Sequence, residues 1–169
     1  VPTFSFPIGS ESIRAMRDSG CQANFITSCL ARKNDLKVIQ DEIPLTVNGF
    51  NSSSKYLTEI VEVHIGDDIV SAVCVPEIKM NLHLPKIGKV VSLFKRKGYW
   101  LADKLLLDCD EKVTNFGFIL GNIDGAILPQ TDITFGSPAS MYSETRLGIM
   151  LSGSIDKILL NSDDLPPIS

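Results

Sequence analysis

Apolar and polar residues alternate along much of the first half of the chain, the period-2 pattern of strands with one buried face. Thr3 to Pro7 and Ser12 to Asp18 flank the turn segment Ile8-Gly9-Ser10-Glu11, so the two are predicted to form a hairpin. Val61, Val63 and Ile65 alternate with Glu62 and His64, and the apolar run Ile69 to Val75 follows the turn residues Gly66-Asp67-Asp68, which predicts a second hairpin. A short helix is predicted to start near Ala23 or Asn24, where Phe25, Ile26, Cys29 and Leu30 share a helical face and Lys33-Asn34 supplies an exit. Residues 77 to 117 hold short apolar pieces broken by Lys95-Arg96-Lys97, Tyr99-Trp100 and Asp108-Cys109-Asp110-Glu111, which reads as a largely irregular insertion. Phe116 to Leu128 is apolar again, and Ile149-Met150-Leu151 reads as a late strand. From Asn161 to Ser169 the acidic and proline residues predict a flexible linker, leaving 1–160 as one domain. The pattern is that of a mainly β chain with one or two short helices.

Composition narrows the classes. The chain has 169 residues, 44% hydrophobic and 21% charged, enough for one domain with a sizeable core. Sixteen Lys and Arg against twenty Asp and Glu give a formal charge of −4 without the basic footprint of a phosphate binder, so no direct nucleic-acid partner is expected. No stretch approaches the roughly 18 consecutive apolar residues that span a bilayer, and Val1-Pro2-Thr3-Phe4 lacks the regions of a signal peptide. The expectation is a soluble, cytoplasmic chain with no membrane partner. Cys21, Cys29, Cys74 and Cys109 offer no Cys-x-x-Cys pair, so free thiols are expected, with two disulfides left open by count. His64 reads as a solvated strand residue and His83 has no matching ligand pair, so no metal site is expected. Lys95-Arg96-Lys97 reads as a solvated loop and Trp100 as a core anchor.

Asp18-Ser19-Gly20 carries the chemistry. It stands where a strand containing Ile13, Ala15 and Met16 ends. A strand fixes the carboxylate, glycine permits a tight turn that brings backbone donors to it, and the small hydroxyl can brace that turn. An Asp-Ser/Thr-Gly turn after an apolar strand is the active-site signature of aspartic proteases.

Further segments follow in an informative order. Val47-Asn48-Gly49-Phe50-Asn51-Ser52-Ser53-Ser54 is placed as the flap hairpin is placed in retroviral-type proteases, and Phe118-Ile119-Leu120-Gly121 resembles the element that packs beside the catalytic loop there. Thr145-Arg146-Leu147-Gly148-Ile149-Met150-Leu151-Ser152-Gly153 resembles the end of the protease domain in BEL/Pao-type retrotransposon polyproteins, and Leu101-Ala102-Asp103 resembles a recurring Leu-Ala-Asp of that family. The resemblance spans roughly residues 11 to 153. Against the family pattern, Arg17 stands where an aliphatic residue usually precedes the catalytic Asp, Ile123 where Asp or Asn is usual, with Asp124 adjacent, and Ile149 where Trp is usual.

The resemblance implies a retropepsin-like closed β-barrel, the acid-protease fold, and an aspartic endopeptidase that processes a retrotransposon polyprotein in the cytoplasm or within a retrotransposon particle. A lone Asp18-Ser19-Gly20 implies a homodimer in which two Asp18 carboxylates activate a water, with no metal or cofactor. Met16 and Ile119 are then expected in the substrate-pocket wall, Gly49, Phe50 and Asn51 over the peptide, and Leu120 and Gly121 as structural neighbours of the turn. The two-fold interface is expected to include that turn and a strand near Leu147 to Leu151. Alternation places Arg17 opposite Met16 and Asp18, on a packed side where it needs a carboxylate partner or a local shift. The alternative function is an inactive dimerisation or peptide-binding module with the same fold.

Overall fold

In the computed structural model, residues 2–49, 52–80, 87–106, 114–128, 131–135 and 137–153 are described. The chain opens with the expected hairpin, β1 (Thr3–Ile8) and β2 (Glu11–Arg17), in which Phe4 lies opposite Ala15 and Phe6 opposite Ile13. All four are buried. After β3 (Asn24–Thr27) and α1 (Ser28–Lys33), β4 (Val38–Gly49) and β5 (Ser52–Ile65) form a long hairpin, and β5 turns at Gly66 into β6 (Asp68–Val75). Gly66 has φ 63°, a left-handed geometry that favours glycine. This β5–β6 pair is the second predicted hairpin, with Val61, Val63 and Ile65 buried and His64 exposed.

The described part of the segment read as an irregular insertion holds regular elements. It contains β7 (Ile78–Met80), α2 (Ile87–Arg96) and β8 (Thr114–Phe116), with β7 and β8 paired antiparallel. Ile87, Val90, Val91 and Phe94 recur at helical spacing and are buried, while Lys89, Ser92, Lys95 and Arg96 are exposed. The basic cluster that broke the pattern in sequence is the last turn of this helix, where cations face the unpaired carbonyl end. The chain continues through β9 (Phe118–Leu120), a 3-10 turn at Asn122–Ile127, and a meander of β10 (Thr131–Phe135), β11 (Ser137–Thr145) and β12 (Gly148–Gly153). The predicted late strand is the middle of β12.

The predicted helix at Ala23 or Asn24 is also corrected, since Asn24–Thr27 is strand and only Ser28–Lys33 is helical. Phe25 and Ile26 part company: Ile26 is fully buried in the main core, and Phe25 packs on a small cluster formed by Met16, Ile78 and Phe116. β3 is paired on both edges, parallel to β6 and antiparallel to β9. Backbone pairing on both sides outweighs a helical periodicity that spans so few turns.

The seven-stranded sheet has the order β1-β2-β9-β3-β6-β5-β4 and is open, so the expected closed barrel is not formed. The outer edge of β1 is already occupied. Ser5 N–H donates to the Ala102 carbonyl at 2.8 Å, and Lys104 N–H donates to Ser5 Oγ at 3.1 Å. Asp103 pins this loop to the first hairpin, accepting from Arg14 Nε at 2.7 Å and Thr3 Oγ1 at 2.6 Å. The architecture is a mainly β fold with few short helices. No described helix is long and apolar enough to cross a membrane. The boundary at residue 160 and the expected linker 161–169 lie outside the described residues.

Candidate active site

β2 delivers Asp18 to the sheet end, and a four-residue turn holds it there. Asp18 N–H donates to the Leu120 carbonyl of β9 at 3.0 Å, and Cys21 N–H donates to the Asp18 carbonyl at 3.1 Å, which closes the turn. Both carboxylate oxygens are engaged: Gly20 N–H donates to Oδ1 at 2.9 Å and the Cys21 thiol to Oδ2 at 3.3 Å. Asp18 remains half-buried, while Ser19 and Gly20 are exposed. A carboxylate accepts about four hydrogen bonds, so one donor at each oxygen leaves acceptor capacity toward solvent. Burial pushes the Cys21 thiol above its ordinary range, and Asp18 pushes it further through the hydrogen bond and through its charge. Cys21 is therefore a thiol donor to Asp18 and not a thiolate.

Asn24 fixes the elements behind the turn. Its carboxamide is 1% exposed and makes three bonds: Oδ1 accepts from Gly121 N–H at 2.8 Å, and Nδ2 donates to the Ser71 carbonyl at 3.0 Å and to Asp124 Oδ2 at 2.5 Å. Asn122 N–H donates to the Cys21 carbonyl at 2.8 Å. Gly121 is required here by contact, because a Cβ at this position would run into the backbone of Ala23. Leu120 and Gly121 thus lie directly against the Asp18 turn. Asp124, one position beyond Ile123, bonds Asn24, and Ile123 itself is 74% exposed. Sequence reasoning missed the role of Asn24, whose small polar side chain suits a helix start as well as a buried hub.

A groove of about 770 Å³ is lined by Phe25, Leu45, Tyr56, Val75, Ile78 and Ile119, with no residue of the Asp18 turn in its lining. Ile119 is on the wall of this groove. Met16 is not: at 2% exposed it lies beneath the wall, packed with Ile78 and Phe116. Leu45 and Tyr56 come from the β4–β5 hairpin, whose register continues to Gly49 opposite Ser52, so the segment read as a flap is a hairpin end. Phe50 and Asn51 lie outside the described residues. Tyr56 was not singled out in sequence, since its place in the groove depends on how the hairpin folds over β7 and β9.

Arg17 faces away from Asp18. Its Nη1 donates to the Leu128 carbonyl at 2.6 Å. Arg17 is not among the hydrogen-bond or ion-pair partners of Asp18. Comparison with known proteins finds no matching family model, no matching curated protein and no matching solved structure.

Proposed function

We propose that this chain is a homodimeric aspartic endopeptidase of the retropepsin-like fold, similar to the protease domain of BEL/Pao-type retrotransposon polyproteins, with a polyprotein as substrate. The observation that carries this reading is the Asp18 carboxylate, gripped at both oxygens by its own turn yet half-buried at the end of β2. Two such carboxylates meeting about 3 Å apart would repel by about 5 kcal/mol at an effective dielectric near 20, so the pair holds a single proton. The ionised member takes a proton from a water, the protonated member polarises the scissile carbonyl, and the roles reverse as the amine leaves. The exposed residues flanking Asp18 include Ser19, Gly20, Gln22, Asn122 and Ile123, and a second copy seats against this surface.

The test is cleavage of a mixed peptide library by the wild type and by Asp18→Asn. The amide is nearly isosteric but can neither serve as base nor share the proton, so cleavage is expected to disappear while the thermal melt is kept. Undiminished cleavage by the variant would place the chemistry elsewhere. Peptide binding without cleavage by the wild type would mark the alternative, a binding module.

A further inference from the structure

The end of α2 carries a surface that the Asp18 chemistry does not use. Trp100, expected as a core anchor, is 79% exposed. Its neighbour Tyr99 goes inward instead, packing on Phe94 with ring centroids 5.5 Å apart. The Trp100 backbone is fixed, because its carbonyl accepts from Ile149 N–H at 2.7 Å and the following residue bridges to β12. An indole is thus held out on a firm ledge. Lys95, Arg96 and Lys97 stand shortly before it, separated by Gly98 and Tyr99, and are exposed, and Lys89 lies on the same helical stripe as Arg96, about 10 Å along the axis. None of these four cations is ion-paired among the described residues. Among the described residues, the acid that follows in the chain, Asp103, is 4% exposed and bonded to Arg14, so it does not offset them.

We propose that this ledge binds single-stranded nucleic acid, with Trp100 stacking on a base and Lys89, Lys95, Arg96 and Lys97 meeting the phosphates. An exposed ring beside a row of cations is the combination that holds unpaired bases and their backbone. A membrane surface fits less well. A helix that docks on lipid must offer its apolar face, and in α2 that face, Ile87, Val90, Val91 and Phe94, is consumed in packing with Tyr99 and Ile149. A carboxylate-rich peptide would use the cations but not the ring. The net charge of −4 argued against nucleic acid for the chain as a whole, yet binding depends on the local field, and the fold concentrates positive charge here.

The single tryptophan makes the test direct, because all indole emission reports on this site. Titration of the full chain with oligothymidylate or oligouridylate at low salt is expected to quench that emission saturably. The affinity should fall as salt rises, with a log–log slope of about −2 to −3 for three or four phosphates. Followed by anisotropy of a labelled oligonucleotide, Trp100→Ala should weaken binding about ten-fold and Trp100→Phe should restore most of it. Replacing Lys95, Arg96 and Lys97 together by Gln should weaken binding and flatten the salt slope. The thermal melt should be unchanged in every variant, since none of these side chains is buried. Absence of quenching overturns the proposal, and so does quenching by phosphatidylserine vesicles or polyglutamate without quenching by oligonucleotides. Binding of duplex and single strand equally, unaffected by Trp100→Ala, would overturn it as well. All of these readings are independent of whether Asp18 is catalytic.

Discussion

The carboxamide of Asn24 bonds Gly121, Ser71 and Asp124 from a fully enclosed position, so one side chain joins β3, β6 and the segment after β9. Asn24→Ala leaves the buried Gly121 N–H without its partner, at about 1–3 kcal/mol, and removes two part-buried bonds as well. We expect a loss of about 2–4 kcal/mol in urea unfolding, and a loss below about 1 kcal/mol would mean that the hub is dispensable. Cys74 supplies a pH signature. Burial, reinforced by the charge of Glu59 and opposed by Arg32, pushes its thiol up to about 11 from an ordinary 9.0. An acid whose folded value is raised binds its proton more tightly when folded, so its contribution is intact below 9 and is lost as pH rises toward 11. The difference in melting temperature between the wild type and Cys74→Ala should therefore be constant up to about pH 9 and shrink above it. A difference that stays flat to pH 11 would contradict the burial of this thiol. Arg17 shows what a sequence conceals at a single position: alternation placed it correctly on the side away from Asp18, but its partner at Leu128 lies across the fold. Arg17→Leu should cost about 1–2 kcal/mol, the loss of a charged hydrogen bond, and leave any proteolysis unchanged.

Local elements were legible and non-local ones were not. The β1–β2 and β5–β6 hairpins were visible because each alternating run pairs with its immediate neighbour across a turn marked by Gly9 or Gly66. β3 and β9 were not visible as a pair, since a three-residue strand has almost no pattern of its own and exists because β2 and β3 flank it. α2 was missed for another reason: its apolar spacing was present, but the aromatic and charged residues after it made the whole stretch look irregular. Phe94 is fully buried between α2 and β12, and Phe94→Ala is expected to cost about 3–5 kcal/mol through the cavity it leaves. Chemical unfolding of that variant measures the loss, and a cost near zero would mean that α2 does not pack as described.

For the whole molecule the deciding question is how two copies meet. Sequence reasoning put a strand near Leu147 to Leu151 in the interface, but β12 is paired with β11 on one side and bridged to Leu101 on the other, with Met150 fully buried. In the proposed homodimer, the surface at Ser19, Gly20 and Ile123 also faces the second copy. Specific activity should therefore fall on dilution, and Ile123→Asp should shift that fall to about ten-fold higher concentration by placing charge in a desolvated contact. Sedimentation of both proteins checks this directly, and unchanged association of the variant would move the interface elsewhere. The chain's residues alone determined the β-rich class, two hairpins, the Asp18-Ser19-Gly20 turn and the glycine beside it, because each depends on side chains within a few positions of one another. Tertiary structure decided that the sheet stays open, that Asn24 is a buried hub, that Met16 lies beneath the groove and that Trp100 faces outward. Each of these depends on which distant segment claims an edge or a face first, and a residue's own pattern does not record that competition.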